Sequence, residues 1–272
     1  MLVGGSVLAV AAAGVVALQV PSATAKVANT ASNKILTIQD SRIDESSGLV
    51  RSNLSASRLW TTNDSGGGTT VYALDLSGRT TATYELTGAS HLDWEGMAGS
   101  VIDGQSYIYV GDIGDNGKKR SSIFVHRFKE PSGTTGGSLA YTTYEFSYPD
   151  GRHNAEGMMV DPSTHRIYIV SKVKGADGAI YAAPTTLSTT SVNKLTRVGT
   201  APAGMSDAVF LADGRFVLRG YVNGWVYSKV GATPVGFALP LKGESISLDW
   251  TSGNVLIGSE KVKSPVYRVA LP

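Results

Sequence analysis

The stretch Asp93-Trp94-Glu95-Gly96-Met97 is answered 61 residues later by Asn154-Ala155-Glu156-Gly157-Met158, and this near-copy decides how the chain is read. The shared pattern is an acid, a small residue and an apolar residue opening a strand. Weaker versions stand at Ser47-Gly48-Leu49, Asp207-Ala208-Val209 and Glu244-Ser245-Ile246. The five copies are separated by 48, 61, 51 and 37 residues. That spacing is the scale of one four-stranded propeller blade, and internal repetition outranks local propensity in choosing a fold.

Working outward from each copy, runs of β-branched and aromatic residues alternate with Ser, Asn, Asp and Gly turns. Blade one reads as strands at 48–51, 58–62, 71–76 and 81–86, and blade two at 97–102, 107–111, 123–128 and 141–148, with 131–137 as a long outer loop. Blade three reads as 158–160, 167–171, 180–183 and 195–199, and blade four as 208–211, 216–220, 225–229 and 235–239. The turn between the first two strands repeats in kind: Asp103-Gly104, Asp161-Pro162-Ser163-Thr164-His165, Asp213-Gly214 and Thr251-Ser252-Gly253-Asn254. Blade five offers only 245–249, 255–258 and 266–271. The isolated strand Lys34-Ile35-Leu36-Thr37-Ile38-Gln39 is therefore expected to fill its outer place, closing the ring and covering an open sheet edge. The expected fold is all-β, a single propeller of five four-stranded blades over residues 34–272. A merged or missed blade would make six, and an antiparallel sandwich is the competing architecture.

Composition agrees. Thirty-two glycines among 272 residues suit many short strands and tight turns. A net charge of +2, with both signs interspersed, provides no basic face for nucleic acid. There is no cysteine, hence no disulfide, thiolate metal site or cysteine nucleophile. The first 25 residues carry no charged side chain and end in Ala23-Thr24-Ala25, a small-x-small cleavage pattern. Residues 1–25 are read as a secretory signal peptide and 26–33 as a linker, so the mature chain is expected to be extracellular, free of the membrane and monomeric. The alternative is an N-terminal anchor, since Leu2 to Val20 approaches the length of a bilayer span.

In a blade whose first two strands are antiparallel, residues opening strand one and closing strand two emerge at the same mouth of the channel. The openers are Asp44, Glu45, Ser47, Asp93, Glu95, Asn154, Glu156, Asp207 and Glu244. The closers include Asn63, Asp64, Asp112, Asp115, Asn116, Lys172, Arg219, Tyr221, Glu260 and Lys261. Carboxylates gathered this way repel one another and require a cation, shared protons or basic neighbours. An all-oxygen donor set selects calcium, with magnesium as the second choice. Glu95, Glu156, Asp207 and Glu244 are the candidate ligands, and the loop carrying Asp112 and Asp115 is a second candidate. Against this stands an ion-pair network in which Lys172, Arg219 and Lys261 neutralise the acids without metal.

The motifs Ser46-Ser47-Gly48-Leu49, Asn63-Asp64-Ser65-Gly66, Asp93-Trp94-Glu95, Gly111-Asp112-Ile113-Gly114-Asp115-Asn116, Asn154-Ala155-Glu156-Gly157 and Gly243-Glu244-Ser245-Ile246 resemble the motif ladder of secreted bacterial propellers grouped with phytase-like and esterase-like proteins. The resemblance spans nearly the whole mature chain. It implies calcium at the channel and hydrolysis of phosphate or carboxylic esters. The chain is shorter than propeller phytases and has fewer acids and bases for a phosphate site, which argues against phytate.

The expected activity is therefore metal-dependent hydrolysis of a small anionic ester, a phosphoester or a lactone, with Glu45 or Asp93 as general base and Lys172 and Arg219 holding the anion. No Gly-x-Ser-x-Gly elbow is present. His91 and His153 precede the two best motif copies and are candidates for proton transfer. The alternative is a glycan- or protein-binding propeller, for which an exposed Trp94 would serve as a stacking platform.

Overall fold

Short β-branched and aromatic runs, cut every few residues by turn-forming Gly, Asp and Ser, favour strands over helices. Among the described residues, 30–272 of a computed structural model, strands are the only regular elements. The signal-peptide reading of 1–25 and most of the linker lie outside the described residues. The chain's first strand, β1 (Ser32–Thr37), is followed by blade one: β2 (Ser46–Arg51), β3 (Arg58–Asn63), β4 (Thr70–Asp75) and β5 (Thr80–Glu85). Blade two holds β6 (Trp94–Ile102), β7 (Gln105–Asp112) and β8 (Ile123–Lys129), then, after the short β9 (Gly137–Ser138), β10 (Tyr141–Ser147). Blade three is β11 (Ala155–Val160), β12 (Ile167–Ser171), β13 (Gly178–Ala182) and, beyond the short β14 (Asn193–Lys194), β15 (Thr196–Ala201). Blade four is β16 (Met205–Phe210), β17 (Phe216–Gly220), β18 (Asn223–Tyr227) and β19 (Val235–Ala238). Blade five has β20 (Ile246–Asp249), β21 (Asn254–Ile257) and β22 (Pro265–Val269).

These strands form five sheets, one per blade, and the fifth has the order β1-β22-β21-β20. The N-terminal strand thus fills the missing outer place, pairing antiparallel with β22 from Ser32↔Val269 to Thr37↔Pro265. It begins two residues before the expected Lys34 and ends earlier, because the Gln39 N–H leaves the sheet to donate to Gly78 O of blade one. Two blades carry a fifth strand that the repeat did not announce. Within the long 131–137 loop region, β9 crosses back to pair parallel with β5, and β14 pairs parallel with β10 of the preceding blade. Each short strand straps one blade to its neighbour and shields an outer edge.

Five apolar clusters lie between the five pairs of adjacent blades. Trp60, Tyr84, Trp94, Met97 and Val110 join blades one and two, and Phe146, Met158 and Tyr181 join two and three. Val170, Met205, Phe216 and Tyr227 join three and four; Val217, Phe237, Val255 and Val269 join four and five; Leu36, Ile38, Leu59, Tyr72 and Val266 join five and one. Each sheet is therefore covered on both faces, and the innermost strands β2, β6, β11, β16 and β20 contact one another around the ring. Every residue of β2 and β11 is buried, which is why these strands show no alternation of apolar and polar residues.

Glycine makes the inner ring possible at two of the repeat positions. A Cβ on Gly48 would press on Met97 and lie 3.0 Å from Glu95 O, and one on Gly96 would lie 2.8 Å from Met158 N. The inner strands of neighbouring blades approach closely enough here that only glycine fits.

Candidate metal centre

In each of the first four blades the inner strand carries a register shift at the repeat motif: between Ser46 and Gly48, Trp94 and Met97, Ala155 and Gly157, and Met205 and Asp207. A bulge removes a residue from the ladder and re-aims its side chain. The residues lifted out are Ser47, Glu95 with Gly96, Glu156 and Ser206. The repeat's acids are thus not equivalent. Glu95 and Glu156 sit on the bulge, whereas Asp207 is the first residue after it, at the place occupied by Gly48 and Gly157.

That one-residue offset sends Asp207 elsewhere. It is completely buried, with Oδ1 accepting from Ala208 N and Oδ2 from Ile246 N of blade five, both at 2.8 Å. Burial pushes its carboxyl well above the ordinary range. Arg219, its ladder partner, is also fully buried and donates to Ser245 O and, at 2.8 Å, to Gly258 O. This pair ties blades four and five together, so Asp207, expected as a metal ligand, and Arg219, expected to hold the anion, are placed at the blade junction and outside the converging carboxylates.

The Asp112–Asn116 loop is likewise a positioning device. Asp112 is fully buried and accepts from Ser90 Oγ, Asp93 N (3.0 Å) and Arg120 Nη1 (2.8 Å). Burial alone would raise its carboxyl, but the Ser90 hydroxyl and the Arg120 guanidinium bring it below the ordinary value. Asp115 accepts from Lys119 N and Arg120 N, both at 2.8 Å, and its own N–H donates to Asn154 Oδ1 at 2.6 Å. Engaged by these donors, Asp112 and Asp115 belong to neither group of converging carboxylates among the described residues. The loop's Gly114 packs directly against the Asp93 carboxylate, which a Cβ at that position would displace.

What remains at the mouth are two triads of carboxylates that share Glu95. One is Glu95, Glu156 and Glu244, all buried, from blades two, three and five; the other is Asp64, Asp93 and Glu95, from blades one and two. Within each triad one ligand atom per residue lies within 4.8 Å of the others. At that separation two unit charges repel by roughly 3.5 kcal/mol at an effective dielectric near 20.

The triads differ in compensation. Lys172 Nζ is in contact with Glu156 Oε2, stands 3.6 Å from Glu244 Oε1, and donates to Tyr221 OH at 3.0 Å. Burial opposes its charge, but Glu156 overrides this and holds the ammonium above its usual value. The Asp64 triad has no ion-pair partner among the described residues. Among the described residues its hydrogen-bond donor is Ser47 Oγ, which donates to Glu95 Oε2 at 2.9 Å, while Asp64 leans on the Asp93 carboxyl and its Oδ1 is buried without a donor. Burial, then Asp93, pushes Asp64 up to about 8; burial, then Glu156, raises Glu95 well above its ordinary value. Glu156, pulled back by Lys172, still stands at about 7, as does Glu260, raised by burial and Glu244.

Of the three basic closers proposed to neutralise the ring, only Lys172 makes an ion pair with it among the described residues: Arg219 is fully buried, hydrogen-bonded to blade-five carbonyls and attracted to Glu244 only through space, and Lys261 is exposed. Glu45 is exposed beside Asp64, whose N–H donates to Glu45 O at 3.0 Å. Trp94 is fully buried, with Nε1 donating to Ser90 O, so it packs between blades and offers no sugar platform. His91 stands edge-on to Trp94, and His153 pairs with Asp150 and Tyr181; neither joins the triads. Asp64, named as a strand closer but not chosen as a ligand, joins one triad, and Glu260 stands beside Glu244 of the other; the antiparallel geometry that placed them at the mouth was the available signal.

No family model matches the chain, and no curated protein matches it. Solved structures do match over most of its length. The PQQ-bound aldose sugar dehydrogenase of Streptomyces coelicolor is 11% identical, covering 89% of this chain and 98% of that one, with a TM-score of 0.52. A gluconolactonase of Xanthomonas campestris is 12% identical, covering 93% and 94%, with a TM-score of 0.51. At such identities the likeness is one of fold: this chain shares the architecture of those proteins, and its chemistry has to be read from its own mouth residues.

Proposed function

We propose that the protein is an exported, monomeric, divalent-cation-dependent hydrolase of a small ester, a phosphoester or a lactone, acting at the channel mouth. The observation that carries this reading is the uncompensated Asp64–Asp93–Glu95 triad with its orphaned buried Asp64 oxygen. A donor set made only of carboxylate oxygens fits calcium, and next magnesium. Asp64, Asp93 and Glu95 would hold the cation, in place of the wider set inferred from the repeat. When bound, such a cation supplies Lewis-acid polarisation of the ester oxygen.

The chain's own groups divide the remaining work. Lys172, held by Glu156 and Glu244, places a permanent positive charge beside the triad for the developing oxyanion or an anionic leaving group. Glu45, exposed and outside both triads, is the carboxylate free to take a proton from attacking water. Asp112 and Gly114 fix the backbone and side chain of Asp93. Lactone hydrolysis, the activity of the Xanthomonas neighbour, is one chemistry this arrangement suits.

Calcium calorimetry on chelator-treated protein tests the reading. Wild type is expected to bind, Asp64→Asn to lose binding, and Glu156→Gln to retain it more weakly, with hydrolysis of lactones or phosphoesters following the same order. Absence of binding heat in wild type, together with unchanged thermal stability on chelation, would overturn it.

A further inference from the structure

Beside Lys172 lies a cavity of about 770 Å³ lined by Lys118, Lys172, Lys174, Asn116, Asn154 and Tyr221, with no carboxylate in its wall. The volume is in the range of small-molecule sites. We infer that this cavity is the substrate's recognition subsite and that it takes the phosphate of a phosphorylated sugar, whose ester or lactone end is presented to the channel mouth; the reacting end rests on the hydrolase reading above.

Three observations converge. First, Lys118 and Lys174 line the cavity, are exposed, and make no side-chain hydrogen bond or ion pair among the described residues, in a chain whose net charge is only +2. A phosphate carrying nearly two negative charges at neutral pH matches that pair, and lysine binds phosphate as a mobile point charge. Second, Lys118 sits at φ 50°, its N–H donating to Asp115 O at 2.8 Å, a conformation that Gly or Asn adopts more readily. The turn thus carries an ammonium where its backbone favours another residue. Third, Asn154 and Lys172 belong to both spaces: Asn154 Nδ2 donates to Glu156 Oε1 at 3.4 Å and to Asn116 Oδ1 at 3.2 Å, and Lys172 touches Glu156 while Tyr221 closes over it. A ligand anchored at Lys118 and Lys174 therefore reaches the reacting residues through amide and hydroxyl groups suited to sugar hydroxyls.

The test titrates glucose 6-phosphate and glucose calorimetrically into the calcium-loaded chain and into a Lys118→Ala/Lys174→Ala variant. Glucose 6-phosphate is expected to bind wild type at least tenfold more tightly than glucose does. The variant is expected to lose tenfold or more of that affinity, and added salt to weaken what remains. Both lysines are exposed and unpaired, so the variant's thermal unfolding and calcium affinity should match wild type. Equal affinity for the two sugars, equal affinity of the two proteins for glucose 6-phosphate, or no binding heat overturns the inference even where calcium binds. Lysine-dependent binding of glucose 6-phosphate by a chain that binds no calcium leaves the subsite standing and removes the metal reading instead.

Discussion

Asp112 and Asp64 are both strand-closing aspartates at the channel mouth, one in blade two and one in blade one, yet their carboxyls move in opposite directions. Asp112 lies below the ordinary value because Ser90, Arg120 and two backbone N–H groups surround it. Asp64 is lifted to about 8 because burial removes water and its nearest neighbours, Asp93, Glu45 and Glu244, are acids. Asp249, at the blade five–blade one corner with Arg268 at 2.6 Å and Arg51 at 3.7 Å, behaves like Asp112. Burial alone therefore does not set the direction in which a carboxyl moves; the compensation around it does.

Removing a charge from each region should break this comparison most sharply. Asp112→Ala leaves Arg120, Ser90 and the Asp93 backbone without their acceptor, and is expected to lower stability in denaturant titrations by about 3–5 kcal/mol, as for loss of one member of a buried pair. Asp64→Asn, by contrast, removes repulsion and is expected to stabilise the chelated protein by about 1–2 kcal/mol in the same titration while abolishing calcium binding. A fall in the stability of chelated Asp64→Asn would mean that the triad is already neutralised.

The pH dependence sharpens the contrast further. Asp112 and Asp249 are depressed, so their contribution is present above the unfolded carboxylate value near 3.8 and is lost as pH falls below that value through their lower folded ones. Asp64, Glu156 and Glu260 are raised to about 8, 7 and 7, so the native state holds extra protons and stability falls as pH rises from about 4 to about 8. Chelated protein should melt at progressively lower temperature from about pH 5 to about pH 8, and saturating calcium should flatten that decline. A flat profile in chelator would contradict the unbalanced charge assigned to the mouth.

A smaller effect is expected of Gly114→Ala, whose Cβ displaces the Asp93 carboxylate. Calcium affinity should fall roughly tenfold, about 1.4 kcal/mol, while the variant stays folded by circular dichroism.

The blade count and the closure of the ring were legible because they rest on local chemistry: turn residues at regular intervals, a motif repeated in phase with them, and one strand at each end of the chain lacking a partner. Glu95 and Glu156 were legible as a pair because both stand on the bulge. Asp207 was not, since a shift of one residue turns a strand side chain to the other side and leaves the motif's spelling almost unchanged. The straps β9 and β14 are only two residues long, too short to carry a pattern.

By itself, then, the sequence determined an all-β ring of five repeats and a mouth rich in acids, because strand periodicity and turn chemistry are properties of neighbouring residues. Tertiary structure alone decided which acids meet, that Lys172 compensates one triad and leaves the other bare, and that Arg219 and Asp207 serve the blade junction. Those outcomes depend on register between strands 37 to 61 residues apart and on the water excluded when the blades close.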